Sequence, residues 1–125
     1  MQSDLVTLCL AACNGELDQQ ESLWDPRPAL GVVLAAGGYP EHYRKGDIIS
    51  GLDTAAASDG KVFHAGTELS GENVLTNGGR VLCATGLGAD VAEAQKNAYA
   101  LAKTISWPGC FYRHDIGYRA INRNK

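Results

Sequence analysis

Three glycine-rich segments place cationic and imidazole side chains where another molecule could approach the backbone closely. They are Gly37–Gly46, with a Gly-Gly-Tyr-Pro turn followed by Arg44 and Lys45, then His64–Thr67 and Thr76–Arg80. Glycine allows positive φ and leaves room for a ligand beside the chain. The pattern fits a surface built around a small polar or anionic partner. Glycine-rich turns also commonly connect the strands of β-hairpins, so a purely structural role stays open.

Anion recognition is the chemistry these segments supply best. Guanidinium donors match two oxygens of a phosphate or carboxylate at once, which suits Arg44 and Arg80. Backbone N–H groups in the turns could complete an anion-binding nest. Alternatively, Arg44 and Lys45 solvate a loop, and Arg80 makes a structural salt bridge. His64 could donate to a substrate or satisfy a backbone carbonyl.

Other catalytic or metal chemistry is poorly represented. None of the histidines lies in a Gly-x-Ser-x-Gly motif, and Gly86-Leu87-Gly88 lacks the third glycine of a dinucleotide fingerprint. No Cys-x-x-Cys or zinc-like Cys/His spacing occurs. The four cysteines are therefore predicted to be buried free thiols that act as small apolar residues.

The composition indicates one globular domain over residues 1–125. Hydrophobic residues make up 45% and charged residues 20%, with a formal net charge of −3. No dense Lys/Arg run is present, which argues against a nucleic-acid partner. The apolar stretch Leu5–Cys13 follows an acidic residue and is too short to cross a bilayer. We expect a cytoplasmic protein with no membrane contact.

The first third of the chain predicts a helix, a polar loop and a strand. Ser3 is the expected N-cap of the helix and Gly15 the residue that ends it. Trp24 is expected to anchor the following loop on the core. Leu30–Ala36 is a continuous apolar run, which predicts a strand buried on both faces.

The middle of the chain predicts short strands and a hairpin. Asp47–Leu52 and Val62–Phe63 are strand candidates, separated by a helical turn within Asp53–Gly60. An Asn-Gly-Gly turn between Asn73–Thr76 and Arg80–Thr85 predicts that these two segments pair as a hairpin.

A second helix follows Gly88, with Asp90 and Glu93 as a capping-box pair. Its predicted apolar stripe comprises Val91, Ala94, Ala98, Leu101, Ala102 and Ile105. In the tail, Arg113 and Arg119 resemble an interdomain latch, with Arg–Asp pairing to hold the tail down. The element order predicts an α+β fold, a small mainly antiparallel sheet with two packed helices.

Taken together and in this order, the segments resemble the C-terminal domain of the phosphoribosylamine–glycine ligase family of ATP-grasp enzymes. The similarity extends over essentially the whole chain. The segments that carry it are Ser3–Val6, Leu8–Ala12, Gly31–Pro40, Arg44–Asp47, Val62–Thr67, Thr76–Leu82, Ala92–Gln95 and Tyr112–Ala120.

The resemblance implies an ATP-dependent ligase of de novo purine (IMP) biosynthesis. Such an enzyme joins glycine to 5-phosphoribosylamine through glycyl phosphate, with ATP converted to ADP and phosphate and with Mg²⁺ or Mn²⁺ as cofactor. The resemblance also implies a domain of the kind found in biotin carboxylase relatives, which closes one side of the active site. In the family, the ATP-grasp domains and the metal ligands precede this domain. We therefore expect a piece of a larger ligase that is inactive and binds no cofactor on its own.

The resemblance and the turn chemistry together predict the residues that face phosphoribosylamine. They are Gly37, Gly38, Tyr39, Pro40, Lys45, His64, Gly66, Thr67 and Arg80. The expected partners are the preceding ATP-grasp domains and the substrates phosphoribosylamine and glycine. Two alternatives remain open: a free-standing module that binds a phosphoribosyl compound or nucleotide, and a structural interaction domain.

Overall fold

The computed structural model of the protein describes residues 1–123, beginning with helix α1 (Leu5–Asn14). The helix begins where the Asp4 carboxylate accepts the Thr7 amide at 2.8 Å, and it ends at Gly15 with φ of 75°. The prediction of Ser3 as N-cap is wrong. Its hydroxyl instead accepts the Leu23 amide at 2.7 Å, which ties the following loop back to the start of the helix.

The N-terminal segment lies largely outside the hydrophobic core. Within α1 only Ala11 is buried, and the packing partner of the helix is a short 3₁₀ helix, Leu17–Gln19. The predicted anchoring of Trp24 is wrong, since its side chain is 67% exposed. The prediction that all four thiols are buried is also wrong. Cys9 and Cys13 are exposed on α1, and Cys83 and Cys110 are half-buried.

The core forms on one face of a three-stranded antiparallel sheet with strand order β1-β5-β2. The strands are β1 (Ala29–Ala35), β2 (Lys61–His64) and β5 (Arg80–Leu87). Residues on β1 alternate, with Val32 fully buried and Val33 43% exposed. The prediction of burial on both faces is therefore wrong, because a helix covers only one face of the sheet.

That helix is α3 (Val91–Lys103), and its predicted capping pair is confirmed. The Asp90 carboxylate accepts the Glu93 amide at 2.8 Å, and the Glu93 carboxylate accepts the Ala89 amide at 2.6 Å. The face toward the sheet is built from small residues, so the helix lies close to β5. A Cβ added to Gly86 would lie 2.7 Å from the carbonyl oxygen of Ala94.

The predicted hairpin between the segments on either side of Asn77 is wrong. Strand β4 (Asn73–Thr76) pairs with β3 (Thr67–Ser70) in a separate two-stranded sheet, and β5 belongs to the other sheet. The turn between β3 and β4 contains Gly71, with φ of 59°. The Asn-Gly-Gly segment instead carries the chain from one sheet to the other.

The remaining elements are short. The helical turn predicted after residue 52 is confirmed as α2 (Leu52–Ala56), and α4 (Tyr118–Asn122) follows the tail. The strand expected over Asp47–Leu52 makes only isolated bridges, from Ile48 to β4 and from Ser50 to Ser106. The α+β class with antiparallel sheets is confirmed. No helix within residues 1–123 is long and apolar enough to cross a bilayer.

The approach of α3 to β5 predicts that Gly86→Ala is severely destabilising. The added methyl group meets helix backbone, which cannot move aside as a side chain can. We expect the free energy of unfolding to fall by more than about 2 kcal/mol in urea titration. Lys96→Ala, at an exposed position of α3, is the control and should change it by less than about 0.5 kcal/mol. Equal effects of the two substitutions would contradict this packing.

Candidate functional site

The first and third glycine-rich segments lie against each other. The Ala36 amide donates to the carbonyl of Gly79 at 2.9 Å, and the Gly46 amide donates to the carbonyl of Thr76 at 2.6 Å. These two bonds tie both ends of the loop that contains Tyr39 to the segment before β5. A Cβ on Gly79 would overlap the aromatic ring of Tyr39, so the ring rests directly on the glycine backbone.

The second segment also lies against the third. The Asn77 amide donates to the carbonyl of Gly66 at 2.7 Å, and the Gly66 amide donates to the carbonyl of Arg80 at 3.0 Å. A Cβ on Gly66 would lie 2.7 Å from the Cα of Gly78, a distance that side-chain-bearing residues do not tolerate. The three segments identified from sequence therefore converge in space, with residues 76–80 in the middle.

The three segments border an open cavity of about 550 Å³ on the sheet face that α3 does not cover. Two tyrosine rings, Tyr39 and Tyr43, form one side, with centroids 5.9 Å apart and planes inclined at 60°. The complete lining is Val33, Tyr39, Tyr43, Ala65, Gly66, Gly79, Arg80, Leu82 and Cys83. The cavity thus combines aromatic and apolar walls with one cationic side chain.

The cation, Arg80, forms no hydrogen bond or salt bridge through its guanidinium within residues 1–123. Three other arginines are each paired with a nearby carboxylate. The pairs are Arg27–Asp25 at 2.8 Å, Arg44–Asp47 at 2.5 Å and Arg113–Asp115 at 2.6 Å. The guanidinium of Arg80 is therefore available to an anion in the cavity, whereas Arg44 is engaged beside its own loop.

Of the predicted site residues, Tyr39, Gly66 and Arg80 line this cavity. His64 borders a different cavity beside α2, and its Nδ1 lies 3.1 Å from the hydroxyl of Thr67. Gly37 borders a third cavity with Arg44 and Asp47. The other predicted residues, which lie on the same loops without lining the main cavity, are Gly38, Pro40, Lys45 and Thr67.

Sequence reasoning missed several lining residues. Val33 and Cys83 face each other across β1 and β5, so their place depends on strand register. A one-residue slip of β1 against β5 would turn Val33 to the other face, and register cannot be read from one strand alone. Gly79 carried a usable signal, because a second glycine after Asn-Gly exceeds what a two-residue hairpin turn requires.

The tail is held differently from the predicted latch. The hydroxyl of Tyr99 on α3 donates to the carbonyl of Arg113 at 2.7 Å and accepts the Ile116 amide at 3.0 Å. The ion pair between Arg113 and Asp115 is local and exposed, and its hydrogen bonds lower the pKa of the Asp115 carboxyl. The tyrosine, rather than the ion pair, connects the tail to the body of the domain.

Comparisons with known proteins identify the family. The family model described as "Phosphoribosylglycinamide synthetase, C domain" matches residues 29–119, which include every strand and the cavity. The chain belongs to this family. Two relatives named phosphoribosylamine–glycine ligase, from Vibrio vulnificus and from Escherichia coli, are each 63% identical over the full length of the chain.

A solved structure also matches the chain. The phosphoribosylamine–glycine ligase from Thermotoga maritima superposes with a TM-score of 0.74 at 36% identity, over 89% of this chain and 27% of that one. The chain spans 29% of the length of the curated relatives described above. The resemblance drawn from the sequence segments is therefore confirmed.

The contact between Gly79 and Tyr39 predicts a specific coupling in this C domain. Gly79→Ala should lower the free energy of unfolding by about 1–3 kcal/mol, because its methyl group displaces the tyrosine ring. In a Tyr39→Ala background the same substitution should cost much less, since the obstacle is gone. Urea titration of the four chains gives this double-mutant cycle. Equal costs in both backgrounds would contradict the contact.

Proposed function

We propose that this chain forms one wall of the active site of a phosphoribosylamine–glycine ligase, a cytoplasmic enzyme of purine biosynthesis. In the proposed reaction, the carboxylate of glycine takes the γ-phosphoryl group of ATP, which leaves ADP and glycyl phosphate. The amine of 5-phosphoribosylamine then attacks the carbonyl carbon, and phosphate and a proton leave. Residues 1–125 act as a domain of this larger enzyme and do not carry out the reaction alone.

The observation that supports this proposal most directly is the unpaired guanidinium of Arg80 in the cavity where the three glycine-rich segments meet. A phosphate monoester offers two oxygens to the parallel N–H groups of a guanidinium. Arg80 is exposed in this chain, so solvent screens the interaction until the rest of the ligase covers the cavity. We therefore assign Arg80 to the 5-phosphate of phosphoribosylamine, and Tyr39 and Gly66 to its ribose side.

The predicted residues on the surrounding loops have a second part in the proposal. Gly37, Gly38, Pro40 and Lys45 belong to the loop tied to Gly79, and His64 and Thr67 to the segment tied to Asn77. We propose that these loops close against the rest of the ligase and exclude water from the acyl phosphate.

ATP and the divalent metal are assigned to the preceding ATP-grasp domains. Within the described part of the chain, residues 1–123, no three His, Cys, Asp or Glu side chains come together as a metal site. These residues do not fit Mg²⁺ or Mn²⁺, so no step is assigned to a metal held by this chain. Its part in the proposal is to bind and orient phosphoribosylamine.

Large apolar side chains left in solvent also favour a part of a larger enzyme. On α1 and in the segment after it, large apolar residues have at least half of their surface exposed: Leu5, Val6, Leu10, Leu17, Leu23 and Trp24. Where exposed apolar side chains form a contiguous patch, the patch marks a site that another protein surface covers. We propose that the preceding domains of the same ligase cover it.

A chimera tests the proposal. This chain replaces the matching part of the Vibrio vulnificus ligase, and formation of glycinamide ribonucleotide is measured with glycine, phosphoribosylamine and ATP. We expect the chimera to retain turnover within about tenfold of the parent enzyme, since the walls of the site are complete, and the isolated chain to have none. Turnover by the isolated chain, or a folded chimera without turnover, would contradict the proposal.

Arg80→Ala in that chimera tests the assignment of the cation. Loss of a hydrogen-bonded charge pair should raise the KM for phosphoribosylamine by about 10- to 100-fold and leave the KM for ATP nearly unchanged. The control is Arg27→Ala, since that side chain is paired with Asp25 and lies outside the cavity. An unchanged KM for phosphoribosylamine would assign Arg80 a structural role.

A further inference from the structure

Strand β1 lies at an edge of the three-stranded sheet and is paired along its outer side at only one end. There Ala35 donates to the carbonyl of Phe111 at 2.8 Å and accepts the Phe111 amide at 3.1 Å. After this bridge the tail turns toward α3, where Tyr99 holds it. Within residues 1–123, no other strand continues along the outer edge of β1.

The alternation of an antiparallel strand shows which backbone groups are left open. The N–H and C=O of one residue point to the same side, and those of the next residue to the opposite side. The backbone N–H and C=O of Ala35 point away from β5, toward Phe111. By the alternation, the backbone groups of Val33, Gly31 and Ala29 also point away from β5. The next residue fits this alternation, since the Ala36 amide points to the β5 side and donates to the carbonyl of Gly79. The outward groups of residues 29, 31 and 33 have no partner within residues 1–123.

This edge lacks the usual protection against pairing. Edge strands are commonly blunted by a charged side chain or by proline. The other exposed strands follow that rule, since β2 begins with Lys61 and β3 contains Glu68. Strand β1 reads Ala-Leu-Gly-Val-Val-Leu-Ala, with neither a charge nor a proline, and its bulge lies at its far end, between Leu34 and Ala35.

An apolar cavity of about 250 Å³ lies beside the same edge. Its walls include Gly31, Val33, Phe111 and Ile116. It shares Val33, Tyr39 and Arg80 with the larger cavity of the candidate site, so the two are adjacent. A segment lying along the open edge could place an apolar side chain in this cavity and also border the site.

We propose that the edge of β1 from Ala29 to Val33 receives an extended segment of the remaining part of the ligase as an additional strand. The segment pairs with the outward groups of residues 29, 31 and 33 and places an apolar side chain between Val33 and Phe111. This occupant is chosen because the relatives are more than three times as long as this chain, which spans 29% of them. The edge also lies beside the cavity whose other walls, in the proposed function, that part supplies. The inference rests on the proposed function.

Residue-resolved amide hydrogen exchange tests the proposal, comparing the isolated chain with the Vibrio vulnificus chimera. The amides of Gly31 and Val33 should exchange rapidly in the isolated chain and at least about 100-fold more slowly in the chimera, because they gain hydrogen bonds. Val32 and Leu34, whose amides point toward β5, are the internal controls and should be protected in both. Ala29→Pro, at the first residue of the strand where proline is tolerated, should lower the melting temperature of the chimera and not that of the isolated chain.

Rapid exchange of Gly31 and Val33 in an active chimera would overturn the inference and leave the proposed function standing. Slow exchange of the same amides in a chimera without turnover would support the inference and contradict the proposed function, because amide protection does not depend on catalysis. Protection that appears in the isolated chain as its concentration rises would show that a second copy occupies the edge, and would overturn the assigned occupant.

Discussion

The structure depends on one stretch of backbone that has no side chains to keep its neighbours away. At Gly78 and Gly79 the chain passes between two loops that approach it from opposite sides, one through Gly66 and the other through Tyr39. Backbone hydrogen bonds then join both loops to this segment: the Ala36 amide donates to the Gly79 carbonyl at 2.9 Å, and the Asn77 amide donates to the Gly66 carbonyl at 2.7 Å. Any side chain here would separate the loops from each other and from the sheet, because glycine alone permits this approach.

The position of the cation follows from this contact. Arg80 comes directly after the two glycines and begins β5, so the sheet and both loops fix its backbone on three sides. It lines the same cavity as Tyr39, whose ring rests on Gly79. The backbone that carries this cation is therefore fixed before any anion arrives, and its guanidinium has no carboxylate partner in residues 1–123. Binding an anion then has to order the arginine side chain but not the backbone that carries it.

The features that local chemistry determines were predictable from the sequence, and those that depend on tertiary contacts were not. The capping pair of α3 involves residues three apart, and the glycine-rich segments are local turns, so both were found. The failed hairpin shows the limit. An Asn-Gly pair favours a tight turn, but β4 gained a better partner in β3, and the second glycine was needed for packing. The predicted anchoring of Trp24 was wrong for a related reason, since composition cannot show that its segment lies outside the core.

The uncovered sheet face connects the energetics of docking with the chemistry of the site. Phe63, Cys83 and Val33 form a row across the three strands, on the side opposite α3, and the outer two are 53% and 43% exposed. In water this row costs free energy, and any surface that covers it recovers that cost by burying apolar area. Val33 and Cys83 also line the cavity of Arg80. The same burial that attaches the rest of the ligase would therefore remove water from around the guanidinium and strengthen its attraction for a phosphate, because both effects act on one surface.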